Sequence, residues 1–295
     1  MKAGIIFNPS SGRGRGVAIA TAVQASLTKR GLDAELHATS GPRDATGIAE
    51  RIACDVDYVV AIGGDGTINE VVNGMVTAGT ECRKAKLGIV PAGTVNVLAG
   101  ELGLPFQVER ACKAIAEGKT ISLDVGMVND RGFILMTGAG IDALTVRNID
   151  PRQKKRFKEL AFVGTGLRWG LASDPPAFVV RSEGQEFTAT YFVASNCRYI
   201  AGHVGLTPDA DPTDGLLDLL IFTGTTRSSL AVFWLGVPSG LHLRSPNVIH
   251  LRTKRAELIP LQDGETVYFQ TDGELAGKLP ATVKIDAHAL EVVVP

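Results

Sequence analysis

Val59-Val60-Ala61-Ile62-Gly63-Gly64-Asp65-Gly66-Thr67-Ile68-Asn69-Glu70-Val71-Val72-Asn73-Gly74 is the stretch whose reading decides the fold. Tyr58 to Ile62 is an unbroken apolar run, of the kind a strand buried on both faces of a parallel sheet requires. Three glycines end it, and each allows positive φ and a close approach of backbone to ligand. Ile68, Val71, Val72 and Met75 then recur at helical spacing, with Thr67 and Asn69 near the helix start. A strand, a glycine turn and a helix N-terminus together make an anion site, because unpaired N–H groups and the helix dipole both favour phosphate. Asp65 would repel that anion unless a cation or a reacting hydroxyl lies between them. The stretch therefore reads as metal-assisted phosphoryl chemistry. The plainer alternative is a glycine turn at the end of any α/β strand, with Asp65 as the helix cap.

Outward from this stretch, strands and helices alternate. Ala3–Phe7 is a short strand that runs into Asn8-Pro9-Ser10-Ser11-Gly12-Arg13-Gly14-Arg15-Gly16, followed by a helix over 17–29. The glycines of that turn read G-x-G-x-G rather than G-x-G-x-x-G, a weak dinucleotide signal. Ala34–Thr39 is the second strand, 43–53 the second helix, and Lys86–Val90 a further strand leading into Pro91-Ala92-Gly93-Thr94-Val95-Asn96. Gly118-Lys119-Thr120 imitates the end of a P-loop, but Lys113 stands where its first glycine is required, so it reads as a turn after the helix 110–117. Alternation of this kind predicts a doubly wound parallel sheet whose ligands sit at the carboxyl ends of the strands. Asn8, Thr39, Asp65 and Thr94 all fall there. On composition alone, Thr39 is equally a helix cap.

After Thr120 the pattern changes to short alternating runs separated by Gly, Pro and Asp turns: 122–128, 133–137, 178–182, 186–194, 216–222, 257–260, 267–271 and 283–286. This predicts an all-β, sandwich-like second domain. The expected division is 1–122 for an α/β nucleotide-binding domain and 123–295 for a β-rich substrate domain, with about the last 20 residues returning to the first. A helical insertion near 143–172 carries Arg147, Arg152, Lys154, Lys155, Arg156 and Lys158 among Phe157, Leu160, Phe162 and Leu167. A basic cluster is ordinarily a solvated face, but this one would also suit membrane-surface docking.

The 295 residues can bury a sizeable core, and 30 basic against 31 acidic residues leave a net charge of −1, which gives no reason to expect a nucleic-acid partner. Met1 leads directly into a strand, so no signal peptide is expected. The bulky apolar run 230–237 is far short of the roughly 20 residues needed to span a bilayer. Cys54, Cys82, Cys112 and Cys197 lie far apart, with no metal-knuckle spacing and no disulfide framework, which points to a reducing, cytoplasmic compartment. The five histidines show no ligand or triad spacing, and no G-x-S-x-G elbow exists.

Gly63-Gly64-Asp65-Gly66 resembles the signature of the diacylglycerol kinase catalytic-domain family, which includes bacterial lipid kinases and the sphingosine and ceramide kinases; NAD kinases carry a similar segment. Other motifs follow in that family's order. Asn8-Pro9-x-x-Gly borders the nucleotide there, and Thr39 matches a position beside ATP. Pro91-x-Gly93-Thr94-x-Asn96 before Leu102-Gly103-x-Pro105 is similar to its second nucleotide motif, although Val97 stands where the family often has Asp and Gly100 where it often has Arg. Gly138-x-Gly140-x-Asp142-Ala143 resembles the opening of its second domain.

The resemblance implies a lipid kinase that places Mg-ATP and a lipid hydroxyl in a cleft between two domains. Asn8, Thr39, Gly63, Gly64, Asp65, Gly66, Thr67, Asn69, Thr94 and Glu274 would hold ATP. Asp272, in Thr271-Asp272-Gly273-Glu274, would be the general base, with Asp65 organising the ion or the acceptor; in the sphingosine kinase branch the base is assigned to the Asp65 position instead. In Asp209-Ala210-Asp211-Pro212-Thr213-Asp214-Gly215-Leu216-Leu217-Asp218, a structural Mg²⁺ would rest on the Asp214 carboxylate and the carbonyls of Asp211 and Leu216, hard oxygen ligands that suit the ion. Without the resemblance, Asp214-Gly215 is an ordinary turn. The implied partners are a lipid substrate and the inner membrane face, with a homodimer allowed. A NAD kinase and a catalytically inactive nucleotide-binding regulator are the alternatives.

Overall fold

The chain divides into two compact units, Met1–Val125 with Ala287–Pro295, and Gly126–Asp286. The computed structural model describes residues 1–141, 143, 176–201, 204–262 and 266–295; the basic insertion and Asp142 lie outside the described residues.

Unit 1 runs β1 (Lys2–Phe7), a single turn α1 (Ser11–Gly14), α2 (Gly16–Lys29), β2 (Asp33–Ala38), α3 (Asp44–Ile52), β3 (Tyr58–Gly63), α4 (Asp65–Thr77), a 3₁₀ turn (Thr80–Cys82), β4 (Lys86–Pro91), α5 (Val97–Glu101), α6 (Val108–Glu117) and most of β5 (Thr120–Val128). The strands lie in the order β2-β1-β3-β4, all parallel. β3 is buried along its whole length, as its unbroken apolar run requires, whereas edge strand β2 alternates exposed and half-buried residues. Ile5, Val60, Ile62 and Val90 pack with Val23 and Leu27 of α2 and Ile115 of α6 in one core cluster. The carboxyl-terminal residues complete this sheet, with Val292 beside Leu87 in parallel pairing.

Unit 2 contains β6 (Arg131–Phe133), β7 (Met136–Gly140), β8 (Phe178–Ser182), β9 (Gln185–Ala189), β10 (Tyr191–Ser195), β11 (Tyr199–Ala201), β12 (Val204–Gly205), β13 (Leu217–Phe222), α7 (Arg227–Gly236), β14 (Val248–Thr253), β15 (Arg255–Pro260), β16 (Tyr268–Thr271), β17 (Glu274–Lys278) and the start of β18 (Ala281–Val293). One antiparallel sheet runs β14-β13-β10-β7-β16-β17. β9, β8, β15 and the first residues of β18 pair in a second layer. Phe178, Val180 and Leu258 of that layer meet Phe192, Leu219, Ile221 and Phe269 of the first in a common core. The architecture is a parallel-rich α/β domain followed by an antiparallel sandwich, the expected fold class.

Two expected strands are broken, each for a side-chain reason. The run 186–194 splits at buried Thr190, whose hydroxyl donates to the Gly224 carbonyl at 2.7 Å. The run 133–137 splits because Ile134 and Leu135 turn their N–H groups to a carboxylate, described below.

The cysteine reading requires correction. Cys54, just after α3, is disulfide-bonded to Cys82 after α4, with Cα atoms 4.4 Å apart; buried Cys112 and Cys197 are outside any disulfide. A separation of 28 residues gave no hint of this pairing. It follows from close packing of the two helices: a Cβ on Gly74 of α4 would lie 2.2 Å from the Thr46 carbonyl oxygen of α3. The inference of a reducing compartment loses its basis.

Candidate active site

In unit 1 the expected residues gather at one end of the parallel sheet, since Asn8, Thr39, Asp65 and Thr94 each follow the carboxyl end of a strand. Asn8 Oδ1 accepts the Ser10 N–H at 2.8 Å, tying down its own turn, and α2 starts so close that a Cβ on Gly16 would be 2.2 Å from the Asn8 carbonyl oxygen. Thr39 donates its N–H to the Phe7 carbonyl at 2.9 Å, one residue beyond β2. It does not cap α3; Asp44 does the local work there by accepting the N–H and hydroxyl of Ser40.

The glycine loops of the first and second motifs touch backbone to backbone. A Cβ on Gly93 would lie 2.5 Å from the Gly64 Cα, and one on Gly63 would strike the Thr67 side chain at 2.6 Å. No side chain fits at either site, which is why the close approach demands glycine. Ala92 donates its N–H to the Gly63 carbonyl at 2.8 Å, and Leu98 donates to Asp65 Oδ1 at 3.2 Å. Asp65 is the first residue of α4 rather than its cap, which is Gly64. Asn69, near the start of α4, is buried, and Thr94 is exposed.

Two residues that the sequence reading quoted within motifs, without giving them roles, organise the site. Asn96 sits at φ 54° and folds its amide back on the second motif, accepting the Gly93 N–H at 2.8 Å and donating to the Gly93 carbonyl at 3.0 Å. The tolerance of Asn for left-handed backbone was the available signal. Glu70 reaches from α4 to accept the N–H groups of Arg43 at 3.0 Å and Ala45 at 3.3 Å, holding the start of α3. The two departures from the family pattern sit quietly: Val97 is buried, and nothing lies within 4 Å of a Cβ built on Gly100.

In unit 2, Asp272 and Gly273 form the two-residue turn between β16 and β17, with φ of 47° and 78°, the positive values a type I′ hairpin uses. The Asp272 carboxylate accepts three backbone N–H groups, from Ile134 at 2.8 Å on one oxygen and from Leu135 and Met136 at 3.0 Å on the other. Its own N–H donates to the Met136 carbonyl. Glu274, expected at the nucleotide, pairs with Arg131 at 2.6 Å.

The acidic turn is built around Asp214. One carboxylate oxygen accepts the Leu216 N–H at 3.0 Å and the other the Arg252 guanidinium. Asp211 turns its carboxylate to Thr213, accepting both its N–H and its hydroxyl. Burial pushes the Asp214 carboxyl up, against the Leu216 N–H and Arg252, which draw it down. Beside it Asp218, 1% exposed, accepts from His250 at 2.8 Å, while Arg252 Nε stands 3.5 Å from its second oxygen. Among the described residues no three His, Cys, Asp or Glu side chains are placed to hold a metal. The implied set differs in kind, with one carboxylate and two carbonyls. Both Asp214 oxygens already have partners in Leu216 and Arg252, so an ion held there would have to share the carboxylate with Arg252.

The fold and the paired glycine loops define a class, and the chain belongs to the diacylglycerol kinase catalytic-domain family. The family's "Diacylglycerol kinase catalytic domain" matches residues 2–128, and the "YegS C-terminal NAD kinase beta sandwich-like domain" matches residues 136–294. Among its relatives is a diacylglycerol kinase of Staphylococcus epidermidis, 30% identical over 300 residues that cover 100% of this chain and 92% of that protein. A diacylglycerol kinase of Bacillus subtilis is 29% identical, covering 100% and 96%. A solved structure of a diacylglycerol kinase from Bacillus anthracis superposes with a TM-score of 0.80 at 22% identity, covering 100% of this chain and 97% of that one, which speaks to the fold. Family membership supports lipid kinase activity in general terms. No helix among the described residues is long and apolar enough to cross a membrane.

Proposed function

We propose an ATP-dependent lipid kinase that transfers the γ-phosphoryl group to the hydroxyl of a membrane lipid, diacylglycerol or a relative such as ceramide or a sphingoid base. The observation that carries this reading is the contact of Gly64 with Gly93, which sets two glycine loops and the N-terminus of α4 at one end of the parallel sheet. Backbone N–H groups there suit the phosphates, with Asn8, Thr39, Gly63, Gly66, Thr67, Asn69 and Thr94 around them. Asp65 would organise the metal that travels with ATP, and Glu274, paired with Arg131, would serve the nucleotide. Phosphoryl transfer needs mainly positioning and charge neutralisation. The lipid oxygen bonds to phosphorus as the bond to the β-phosphate breaks, and Asp272 takes the hydroxyl proton.

A structural Mg²⁺ would be held by the Asp214 carboxylate and the carbonyls of Asp211 and Leu216, supplying positive charge to the acidic turn. Added Mg²⁺ should then raise the melting temperature by mass action, and Asp214→Ala should abolish that rise. Identical Mg²⁺ responses in both proteins would remove the ion from this turn.

The deciding experiment incubates the protein and γ-labelled ATP with diacylglycerol, ceramide, sphingoid bases, polyprenols and NAD. Label in a lipid is expected. Label in NAD alone would make the protein a NAD kinase, and ATP binding without turnover on any acceptor would make it a regulator.

A further inference from the structure

One face of unit 2 is apolar where it meets solvent. α7 reads Arg-Ser-Ser-Leu-Ala-Val-Phe-Trp-Leu-Gly. Its inward stripe is fully used: Leu230, Phe233 and Trp234 are buried, and the rings of Phe233 and Trp234 lie 5.7 and 5.6 Å from Tyr191. The outward side of the same helix carries Val232, 66% exposed, and Leu235, 69% exposed. Leu241, in the following 3₁₀ turn Leu241–Arg244, is 54% exposed. That turn runs against the end of α7, since a Cβ on Gly236 would lie 2.8 Å from the His242 nitrogen and 3.3 Å from the Leu241 carbonyl carbon. Single exposed leucines are ordinary, but three bulky aliphatic side chains in one stretch of surface are not.

Along the chain, the segment that carries this face has charges of one sign. From Thr223 to Ala256 the sequence contains no Asp or Glu, and it carries Arg227, Arg244, Arg252, Lys254 and Arg255. Arg252 turns to Asp214 and Arg255 to Glu257, while Arg244 is exposed at the end of the apolar stretch. An isologous contact with a second copy would bring these cations together with no acid from this stretch to meet them. A bilayer interface of anionic lipid matches both features, taking aliphatic side chains at the headgroup boundary and guanidinium groups among phosphates. We infer that the face formed by Val232, Leu235 and Leu241, with Arg244 beside it, docks on an anionic membrane surface. The inference rests on the lipid kinase reading, in which the protein must reach a hydroxyl held in a bilayer.

Flotation of the full chain with vesicles tests it, using phosphatidylcholine alone and phosphatidylcholine enriched in phosphatidylglycerol. The wild type should float with the anionic vesicles. Val232→Ser with Leu235→Ser should lower that partition on the order of tenfold, because the apolar area available for burial is lost; Arg244→Glu should weaken it in a salt-dependent way. The double variant should lose phosphorylation of vesicle-borne diacylglycerol yet keep wild-type turnover of a short-chain diacylglycerol dispersed as monomers. A wild type inactive on every acceptor, dispersed or in vesicles, would sink the kinase reading, while the flotation result would stand by itself. Unchanged flotation of the double variant would overturn the docking face. So would a switch from dimer to monomer in sedimentation with vesicle binding intact, which would make the face a contact between copies.

Discussion

Asp65 and Asp272 are two carboxylates held by opposite means. Asp65 begins a helix of 13 residues and accepts the Leu98 N–H at 3.2 Å, beside glycine loops whose Cα atoms meet without side chains. Asp272 stands on left-handed backbone and accepts three N–H groups at 2.8 to 3.0 Å, for which a strand is interrupted. The first is oriented by a neighbouring motif and moves if that motif moves. The second is clamped by its own sheet. The second arrangement fixes the carboxylate more firmly, but its three N–H donors already occupy both oxygens and favour the charged form, so the firm hold comes at the expense of proton uptake.

The largest break in this comparison should come from Asp272→Asn. On the assignment of Asp272 as base proposed above, its loss should lower kcat by about 10²- to 10⁴-fold with nucleotide Kd nearly unchanged. Here the substitution is not silent in stability, because both oxygens accept N–H groups and the amide NH₂ must face one of them. That should cost about 1–3 kcal/mol, so melting curves belong beside the kinetics. Near-normal turnover would move the base to Asp65.

Next in size is the covalent anchor at the far end of the helix that Asp65 begins. Reducing Cys54–Cys82, or Cys54→Ser, should destabilise by about 3.5 kcal/mol, the loop-closure value for a separation near 28 residues. Thermal unfolding with and without dithiothreitol measures it; no change in the oxidised protein's melting on reduction would show that the clip carries no stability.

Gly93→Ala probes the glycine contact itself. A Cβ 2.5 Å from the Gly64 Cα should cost about 1–3 kcal/mol and weaken nucleotide binding, while Gly100→Ala, with open space around it, should do neither. Equal nucleotide affinity in all three proteins would detach the loops from the ligand.

The smallest effect sharpens the picture of unit 2. The hydrogen bond to buried Asp218 raises the pKa of His250 above 6.5, with Asp209 adding to it and burial and Arg252 opposing. A raised folded value means the contribution is complete below the unfolded pKa and is lost as pH rises through the folded one. His250→Gln should therefore remove about 0.5 kcal/mol of a stability difference between about pH 6 and pH 8. Parallel pH profiles for both proteins would dismiss the pair as a contributor.

Most of unit 1 was legible because its signals are local. β3 is one apolar run, its ending is three glycines, and parallel alternation put Asn8, Thr39, Asp65 and Thr94 at one end of the sheet before any coordinates did. Unit 2 was legible only as a set of strands. The break between β6 and β7 depends on Asp272, more than 130 residues away, so no window around Ile134 contains its cause. β17 reads Glu-Leu-Ala-Gly-Lys, without β-branched residues, and is a strand only because the Asp272-Gly273 turn delivers it to β16. The disulfide was hidden for the same reason, being a product of packing α4 against α3.

β18 starts in unit 2 and ends beside β4, with Val292 next to Leu87. On a ribosome, the strands of unit 1 therefore emerge long before the one that completes their sheet. About 160 residues of unit 2 intervene, a delay of roughly ten to thirty seconds at common elongation rates. Until then the edge of β4 is open, and the nascent chain carries an unpaired template that other strands or a chaperone can reach.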